Sequence, residues 1–229
     1  MQALVSGANR GLGLEMTRQL LARGDRVAAA CRHPGRALEL TRLAGEHPGR
    51  LHVFPLDLTD TRSIADLARQ VGALDLDIDL LVNNAGLLVE GERFGAIDGK
   101  SLRESFAVNA EGAFMLTQSL NAQLAEGAKI VNLSSTLGSI ARTDSLYSPS
   151  YAISKAALNM ATRLLSIALR ERGIVVVSLS PGWVRTDMGG AGAPLQPDAS
   201  IASMLRVIDH LKASDSGRFL TQNGETIPW

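Results

Sequence analysis

The sequence predicts a doubly wound α/β fold, a parallel sheet of about seven strands with helices on both faces. Three observations lead there. Short apolar runs recur along the 229 residues, separated by segments of helical period or length. Several runs, such as Ile174-Val-Val-Val-Ser-Leu179, are nearly continuous rather than alternating, so the sheet is covered on both faces, as parallel sheets are. A hydrophobic content of 45% supplies the core such a sheet must bury. No linker, charge run or low-complexity tract divides the chain, which reads as one domain over residues 1–229.

In chain order, the first strand, Ala3–Ser6, runs into a glycine-rich turn and then a helix over Leu12–Arg23. Arg26–Cys31 is the second strand, followed by a helix over Ala37–Glu46. Leu51–Leu56 is the third strand, after which Thr59 or Asp60 caps a helix over Ser63–Val71. The fourth strand, Ile78–Val82, ends at two asparagines. Leu102–Ala125 reads as a long helix, Lys129–Ser134 as the fifth strand and Tyr151–Arg172 as a second long helix. Ile174–Ser180, stopped by Pro181-Gly182, is the sixth strand; a helix over Ala199–Lys212 and the strand Arg218–Thr221 complete the series. Ligands of such a sheet bind at the carboxyl ends of the strands, beside the point where strand order reverses.

Composition excludes several function classes. Twenty-three basic and twenty-three acidic residues cancel, so nothing marks a nucleic-acid or anionic-membrane partner. The sole cysteine, Cys31, permits no intramolecular disulfide and no thiolate metal cluster, and its apolar surroundings predict a buried, inert thiol. His33, His47, His52 and His210 are scattered without metal-ligand spacing, so no metal site is expected. No basic-then-apolar leader is present and no apolar run reaches the ~18 residues of a membrane span, which predicts a cytoplasmic protein.

The first strand–helix junction is Ser6-Gly-Ala-Asn-Arg-Gly-Leu-Gly13. Gly7, Gly11 and Gly13 leave the turn bare, so that a pyrophosphate can approach the N–H groups at a helix start, with Asn9, Arg10 and Leu12 lining the turn. The spacing is G-x-x-x-G-x-G. The second strand ends in Cys31-Arg32-His33, with no acid where a free ribose 2′-hydroxyl would meet one. Arg32, with Arg10 within reach, instead suits a phosphate, which favours NADP(H) as cofactor. The alternative is that Arg32 is a solvated strand-end charge. Asp57, followed by Leu58, is a candidate acceptor for an adenine amino group. Asn83, Ala85 and Gly86 allow the backbone to pass close to the adenosine ribose.

Tyr151 and Lys155 stand one helical turn apart and point the same way. An ammonium beside a phenol favours the phenolate, so the pair is expected to lower a pKa normally near ~10 and make Tyr151 a proton donor. Tyr147 has no lysine four residues on.

With SGANRGLG, NNAG, Phe-Ala-Val-Asn109, NLSS, YAISK and PGWVRT in this order, the chain resembles the short-chain dehydrogenase/reductase family over nearly its whole length. Trp183-Val-Arg-Thr-Asp-Met-Gly-Gly190 and the tail ending Ile-Pro-Trp229 resemble the C-factor/Sniffer-type carbonyl reductases within it. The resemblance implies a Rossmann-type sheet of order 3-2-1-4-5-6-7 and hydride transfer between a nicotinamide and a carbonyl or alcohol. It also implies a Ser-Tyr-Lys centre assisted by an asparagine. On that basis Tyr151 is the proton donor, Lys155 holds the nicotinamide ribose and Asn109 holds a water in the proton relay. Ser135 binds the carbonyl oxygen, with Ser134 as the alternative. Pro181, Gly182, Val184 and Thr186 meet the nicotinamide carboxamide. Ser135 precedes Tyr151 by sixteen residues, a slightly longer loop than many relatives carry. Asp187–Pro197, rich in glycine and small residues, reads as a mobile flap, with Trp183 and Trp229 as candidate lining of the substrate space. A competing class is a nucleotide-binding regulator in which turnover is incidental.

The helix Tyr151–Arg172 carries two apolar stripes, Ile153, Ala156, Ala157, Met160, Leu164 and Ile167, and Leu158, Ala161, Leu165 and Ala168 or Leu169. One sheet face cannot cover both, and Phe114, Met115, Leu120 and Leu124 add a similar excess on the other long helix. A homodimer or homotetramer built through these helices is the expected assembly.

Overall fold

The computed structural model describes residues 1–74 and 76–229. Seven strands, β1 Gln2–Ser6, β2 Arg26–Cys31, β3 Leu51–Pro55, β4 Ile78–Asn83, β5 Leu124–Leu133, β6 Val175–Ser180 and β7 Phe219–Thr221, form one sheet in the order β3-β2-β1-β4-β5-β6-β7. Every neighbouring pair is parallel. Strand order reverses between β1 and β4, which places a crevice at their carboxyl ends.

The continuous apolar strands are explained by a core on each face. Val5, Val131 and Val177 pack with Met16, Leu20, Leu40, Met204 and Ile208 from α1 (Gly11–Ala22), α2 (Leu38–Glu46) and α7 (Pro197–His210). Their strand neighbours Leu4, Ile130 and Val176 point the other way. They pack with Ile64, Leu67, Val71, Leu116 and Leu165 from α3 (Thr61–Ala73), α5 (Gly112–Ser119) and α6 (Pro149–Ala168). Because the side-chain period of a strand is two, an apolar run needs a partner layer on both sides.

The largest departure from the sequence reading is the segment read as one helix over Leu102–Ala125. It is α4 (Gly99–Phe106), a π segment over Ala107–Glu111, α5, and a 3-10 turn over Asn121–Gln123. Asp98 starts α4 by accepting from Lys100 N at 3.1 Å. β5 begins at Leu124, not Lys129, where Leu124 pairs with Ile78 before a register shift. Leu120 and Leu124 fit a helical spacing of four, and that periodicity hides the change of structure between them. Leu120 and Leu124 are buried in the core, so neither contributes to an outer apolar face. The helix read over Tyr151–Arg172 spans Pro149–Ala168 and closes in a 3-10 turn over Arg170–Arg172 before Gly173, φ 65°.

A buried polar chain fixes α6 against the sheet. Asn83 Nδ2 donates to Asn132 Oδ1, Asn132 Nδ2 donates to Thr162 Oγ1, and Thr162 Oγ1 meets Ser178 Oγ, each at 2.8 Å. Each such bond contributes about 1 kcal/mol net, and an unmatched partner would cost more, so the chain selects one register of helix on sheet.

Candidate active site

At the nucleotide end, β1 runs into Gly7, φ 66°, where an added Cβ would lie 2.8 Å from Ala85 Cα. A Cβ at Gly13 would lie 2.4 Å from both Gly7 O and Asn84 Nδ2. The bare turn is therefore required by the close approach of the segment after β4 as much as by any ligand. Asn84 Nδ2 donates to Ser6 O (2.8 Å) and Gly7 O (3.1 Å), while Ser6 Oγ accepts from Asn84 N and Ala85 N, each at 3.1 Å. Asn83 turns into the sheet instead, toward Asn132. Arg10, extended at the N-cap of α1, gives no side-chain cap, which leaves the first-turn N–H groups of Gly11, Leu12 and Gly13 to an outside acceptor. Asn9, Arg10 and Gly11 are exposed around that opening.

Arg32 is exposed at the end of β2, and among the described residues it forms no ion pair. Arg10 Nη1 donates to Asp187 Oδ2 at 2.7 Å, an exposed pair worth at most ~1 kcal/mol, which a phosphate can displace. Asp57 Oδ1 accepts from Thr59 Oγ1 (2.7 Å) and Thr59 N (2.9 Å). The Thr59 hydroxyl, then its backbone N–H and, more weakly, the Arg32 charge hold the Asp57 carboxyl below its ordinary range. Asp60, not Thr59, caps α3, accepting from Arg62 N at 2.9 Å. Leu58 is buried, and its side chain would collide with any Cβ at Gly112. Uncapped helix amides, a turn closed to side chains, the Arg32 guanidinium and the exposed Arg10 guanidinium, held only by Asp187, fit a phosphorylated dinucleotide.

The chemical end lies at the start of α6. Tyr151 is partly buried and Lys155 is 3% exposed, with Lys155 Nζ 5.5 Å from the centre of the Tyr151 ring. Nζ donates to Leu133 O at 2.6 Å. The expectation that Lys155 lowers the phenol pKa is not met here. Burial pushes Tyr151 up to about 12, against a smaller downward pull from the nearby Ser135 hydroxyl. Burial also drives Lys155 down to about 8. Desolvation governs both shifts, and the Lys155 ammonium spends its hydrogen bond on the Leu133 carbonyl.

The two serines after β5 separate cleanly. Ser134 is buried and donates to Asn159 Oδ1 at 2.8 Å, while Asn159 Nδ2 donates to Gly138 O at 3.0 Å. Ser135 is partly exposed, faces Tyr151 and accepts from Leu137 N at 3.2 Å. A Cβ at Gly138 would lie 2.8 Å from Lys155 Cβ, so glycine lets this turn pack directly on α6.

Asn109 is 1% exposed, in the π segment. Its Oδ1 accepts from Leu87 N (2.7 Å), and its Nδ2 donates to Leu87 O and Ser154 Oγ, each at 2.8 Å. Ser154 Oγ donates onward to Tyr151 O at 2.7 Å. Both amide protons of Asn109 are engaged within the chain, so its side chain ties the segment after β4 to α6 and has no donor left for a water. Gly86 sits between the two: a Cβ there would lie 3.4 Å from Asn109 Oδ1 and 3.8 Å from Lys155 Nζ.

Sequence reasoning missed Ser154 and Asn159. Asn159 shares a helix face with Lys155 and Tyr151 at intervals of four, a signal that was present in the sequence. After β6, Pro181 and Gly182 (φ 81°) lead to buried Val184 and to Thr186, whose Oγ1 accepts from Gly189 N at 3.1 Å. The segment read as a mobile flap is folded back by Arg185 N to Leu195 O (2.8 Å) and Trp183 Nε1 to Gly189 O (2.8 Å). Trp183 is 61% exposed there. Trp229 stacks on Phe219 at 5.6 Å, and its carbonyl accepts from Ala141 N at 3.0 Å, just beyond the Ser135 turn.

The family pattern described as short chain dehydrogenase matches residues 1–194, which include the glycine turn, Ser135, Tyr151 and Lys155. The chain belongs to the short chain dehydrogenase family. Among solved members, the carbonyl reductase Sniffer of Drosophila melanogaster superposes with a TM-score of 0.95 at 32% identity, covering 100% of this chain and 99% of its own. An NADPH-bound carbonyl reductase from chicken fatty liver superposes at 0.93 with 39% identity, covering 100% and 98%. The protein named C-signal of Myxococcus xanthus is 41% identical over 154 residues, 66% of this chain and 93% of that one. This short chain dehydrogenase therefore carries the seven-stranded parallel fold of the carbonyl reductases it resembles. Among its described residues no helix is long and apolar enough to cross a membrane, and no cluster of metal-ligating side chains occurs.

Proposed function

We propose that this short chain dehydrogenase is an NADPH-dependent carbonyl reductase. The observation that carries the reading is the placement of Tyr151 and Lys155, on the first turns of α6, against Ser135 and the Leu133 carbonyl at the carboxyl edge of β5. The chicken carbonyl reductase bound to NADPH supports the same cofactor here. Gly7, Asn9, Gly11, Leu12 and Gly13 would hold the pyrophosphate, Arg10 and Arg32 the 2′-phosphate, and Asp57 with Leu58 the adenine. Asn83, Ala85 and Gly86 would pass under the ribose, and Pro181, Gly182, Val184 and Thr186 would face the nicotinamide. When bound, the nicotinamide supplies a hydride to a carbonyl carbon.

The carbonyl oxygen gains negative charge as hydride arrives, and hydrogen-bond donors aimed at it stabilise that charge. Ser135 Oγ donates to the oxygen and Tyr151 gives up its phenolic proton to it. A phenol held near 12 remains protonated at neutral pH, as reduction requires, and is still far more acidic than an aliphatic alcohol. Lys155 supplies positive charge beside the phenolate left behind. Asn109 keeps the Leu87 segment and the first turns of α6 in register. Oxidation of NADPH by the purified protein across aliphatic and aromatic aldehydes and ketones tests the reading; no consumption with any of them would contradict it. The likeness to C-signal favours a second reading, in which nucleotide occupancy sets a partner contact. Under that reading NADPH binds tightly and its oxidation is incidental.

The same reading includes a homodimer. Ile153, Met160, Leu164 and Ile167 form one exposed stripe on α6, each about half accessible (56%, 61%, 53% and 49%), while Leu158 and Leu165 face the core. Phe106 on neighbouring α4 is 46% exposed. A self-complementary apolar face of this kind closes on a second copy about a two-fold axis.

A further inference from the structure

The helix that carries Tyr151 and Lys155 begins without a cap of its own. Its N-cap residue, Ser148, sits at φ 44°, the sole non-glycine residue with positive φ among those described, and its side chain makes no capping bond. A left-handed non-glycine residue costs about 1–2 kcal/mol, so the turn persists only if its surroundings hold it. Pro149 at the first helical position has no N–H to satisfy, which leaves Ser150 as the first donor of the helix. That donor is met from 58 residues away. Ser150 N donates to Glu92 Oε2 at 3.0 Å, and the Ser150 hydroxyl donates to Glu92 Oε1. Ser150 is 1% exposed, so this is a two-pronged contact closed to water on the helix side. Glu92 lies in the segment between β4 and α4, whose nearer end is already fastened to Asn109 through Leu87. The carboxylate also sets a negative charge at the positive end of a 20-residue helix, a favourable placement.

We infer that Glu92 is a positioning residue: it clamps the first turn of α6 to the segment after β4 and so fixes where the Tyr151 hydroxyl points. Tyr151 is the residue directly after Ser150, with no intervening chain to absorb a shift. Losing the clamp frees the strained Ser148 turn to relax and lets the first turn fray while the polar chain at Thr162 still holds the rest of the helix. Misplacement by a fraction of an ångström at the reacting atoms is enough to slow a reaction whose geometry is set by the enzyme.

The inference rests on Tyr151 as the proton donor, and the experiment separates the two claims. Glu92→Ala, Glu92→Asp, Glu92→Gln and Tyr151→Phe are compared in steady-state NADPH oxidation, NADPH binding by calorimetry and thermal melting. Glu92→Ala is expected to lower kcat by on the order of ten-fold, with NADPH affinity unchanged because the glycine turn is untouched. Glu92→Gln is expected to restore most of the rate, since its carboxamide oxygen accepts from Ser150 N while its NH2 donates to the Ser150 hydroxyl oxygen. Glu92→Asp, one methylene shorter, is expected to behave like Glu92→Ala. A normal kcat in folded Glu92→Ala, with only its melting point lowered, would overturn the inference by showing a purely structural role. If Glu92→Ala fails to fold, equal rates for Glu92→Asp and Glu92→Gln overturn it, and an Asp defect rescued in Gln supports it. Full activity in Tyr151→Phe would instead remove the proton-donor reading on which the inference stands.

Discussion

Replacing Lys155 by methionine is expected to abolish turnover and stabilise the fold. The Lys155 ammonium is 3% exposed, and its one hydrogen bond among the described residues goes to Leu133 O. Burial brings its pKa from an ordinary 10.5 to about 8. At about 1.4 kcal/mol per pH unit, that displacement corresponds to roughly 3 kcal/mol of destabilisation while the group stays charged. Methionine has a similar length and no charge, but it strands the Leu133 carbonyl at a cost of about 1–2 kcal/mol. The expected net gain is therefore about 1–2 kcal/mol near neutral pH. The folded pKa lies below the unfolded one, so between about 8 and 10.5 the unfolded chain holds the extra proton. In that window the contribution of Lys155 to stability rises with pH; the penalty is complete below 8 and gone above 10.5. The advantage of Lys155→Met should accordingly be largest near neutral pH and shrink as pH climbs through that range. Urea unfolding of both proteins without nucleotide, at neutral and at alkaline pH, measures it. A variant less stable than the parent at neutral pH, or an advantage indifferent to pH, would show that the buried ammonium does not burden the fold.

Arg32→Asp should exchange a phosphate partner for a ribose partner and move cofactor preference toward NADH by at least ten-fold in kcat/KM, each charge-assisted contact being worth ~1.5–3 kcal/mol. Equal affinity of the parent for NADH and NADPH by calorimetry would remove the premise. If the proposed dimer forms, the parent should scatter light at twice 24.3 kDa and Leu164→Glu, at a position 53% exposed in the single chain, should yield a folded monomer. A monomeric parent at micromolar concentration would leave the Ile153–Ile167 stripe without a partner.

Much of the fold was legible because strand and helix periods are set by which faces are buried. Continuous runs such as Ile174–Leu179 announced two covered faces, and the sheet order places them so. The π segment was not legible, since nothing in Ala107–Glu111 differs in apolar spacing from a plain helix. Within that segment Asn109 reaches Leu87 and Ser154 at once, tertiary contacts that no local spacing announces. Ser135 and Tyr151 could be paired by their order in the chain, yet the commitment of Ser134 to Asn159 required the helix to be in place. The Tyr151 shift runs opposite to the expectation because spacing reveals a neighbouring charge but not the burial that sets the shift. Glu92 was invisible in sequence, where no local pattern links it to a helix that starts more than fifty residues later.

In the proposed reaction the Tyr151 hydroxyl delivers the proton. Tyr151→Phe deletes that hydroxyl and leaves the ring, the glycine turn and Arg32 in place. General acid catalysis is typically worth ~10²–10⁴-fold, and kcat for the best carbonyl substrate is expected to fall by that order while the calorimetric affinity for NADPH is retained. Turnover within a few-fold of the parent, in a folded variant that still binds NADPH, would contradict it.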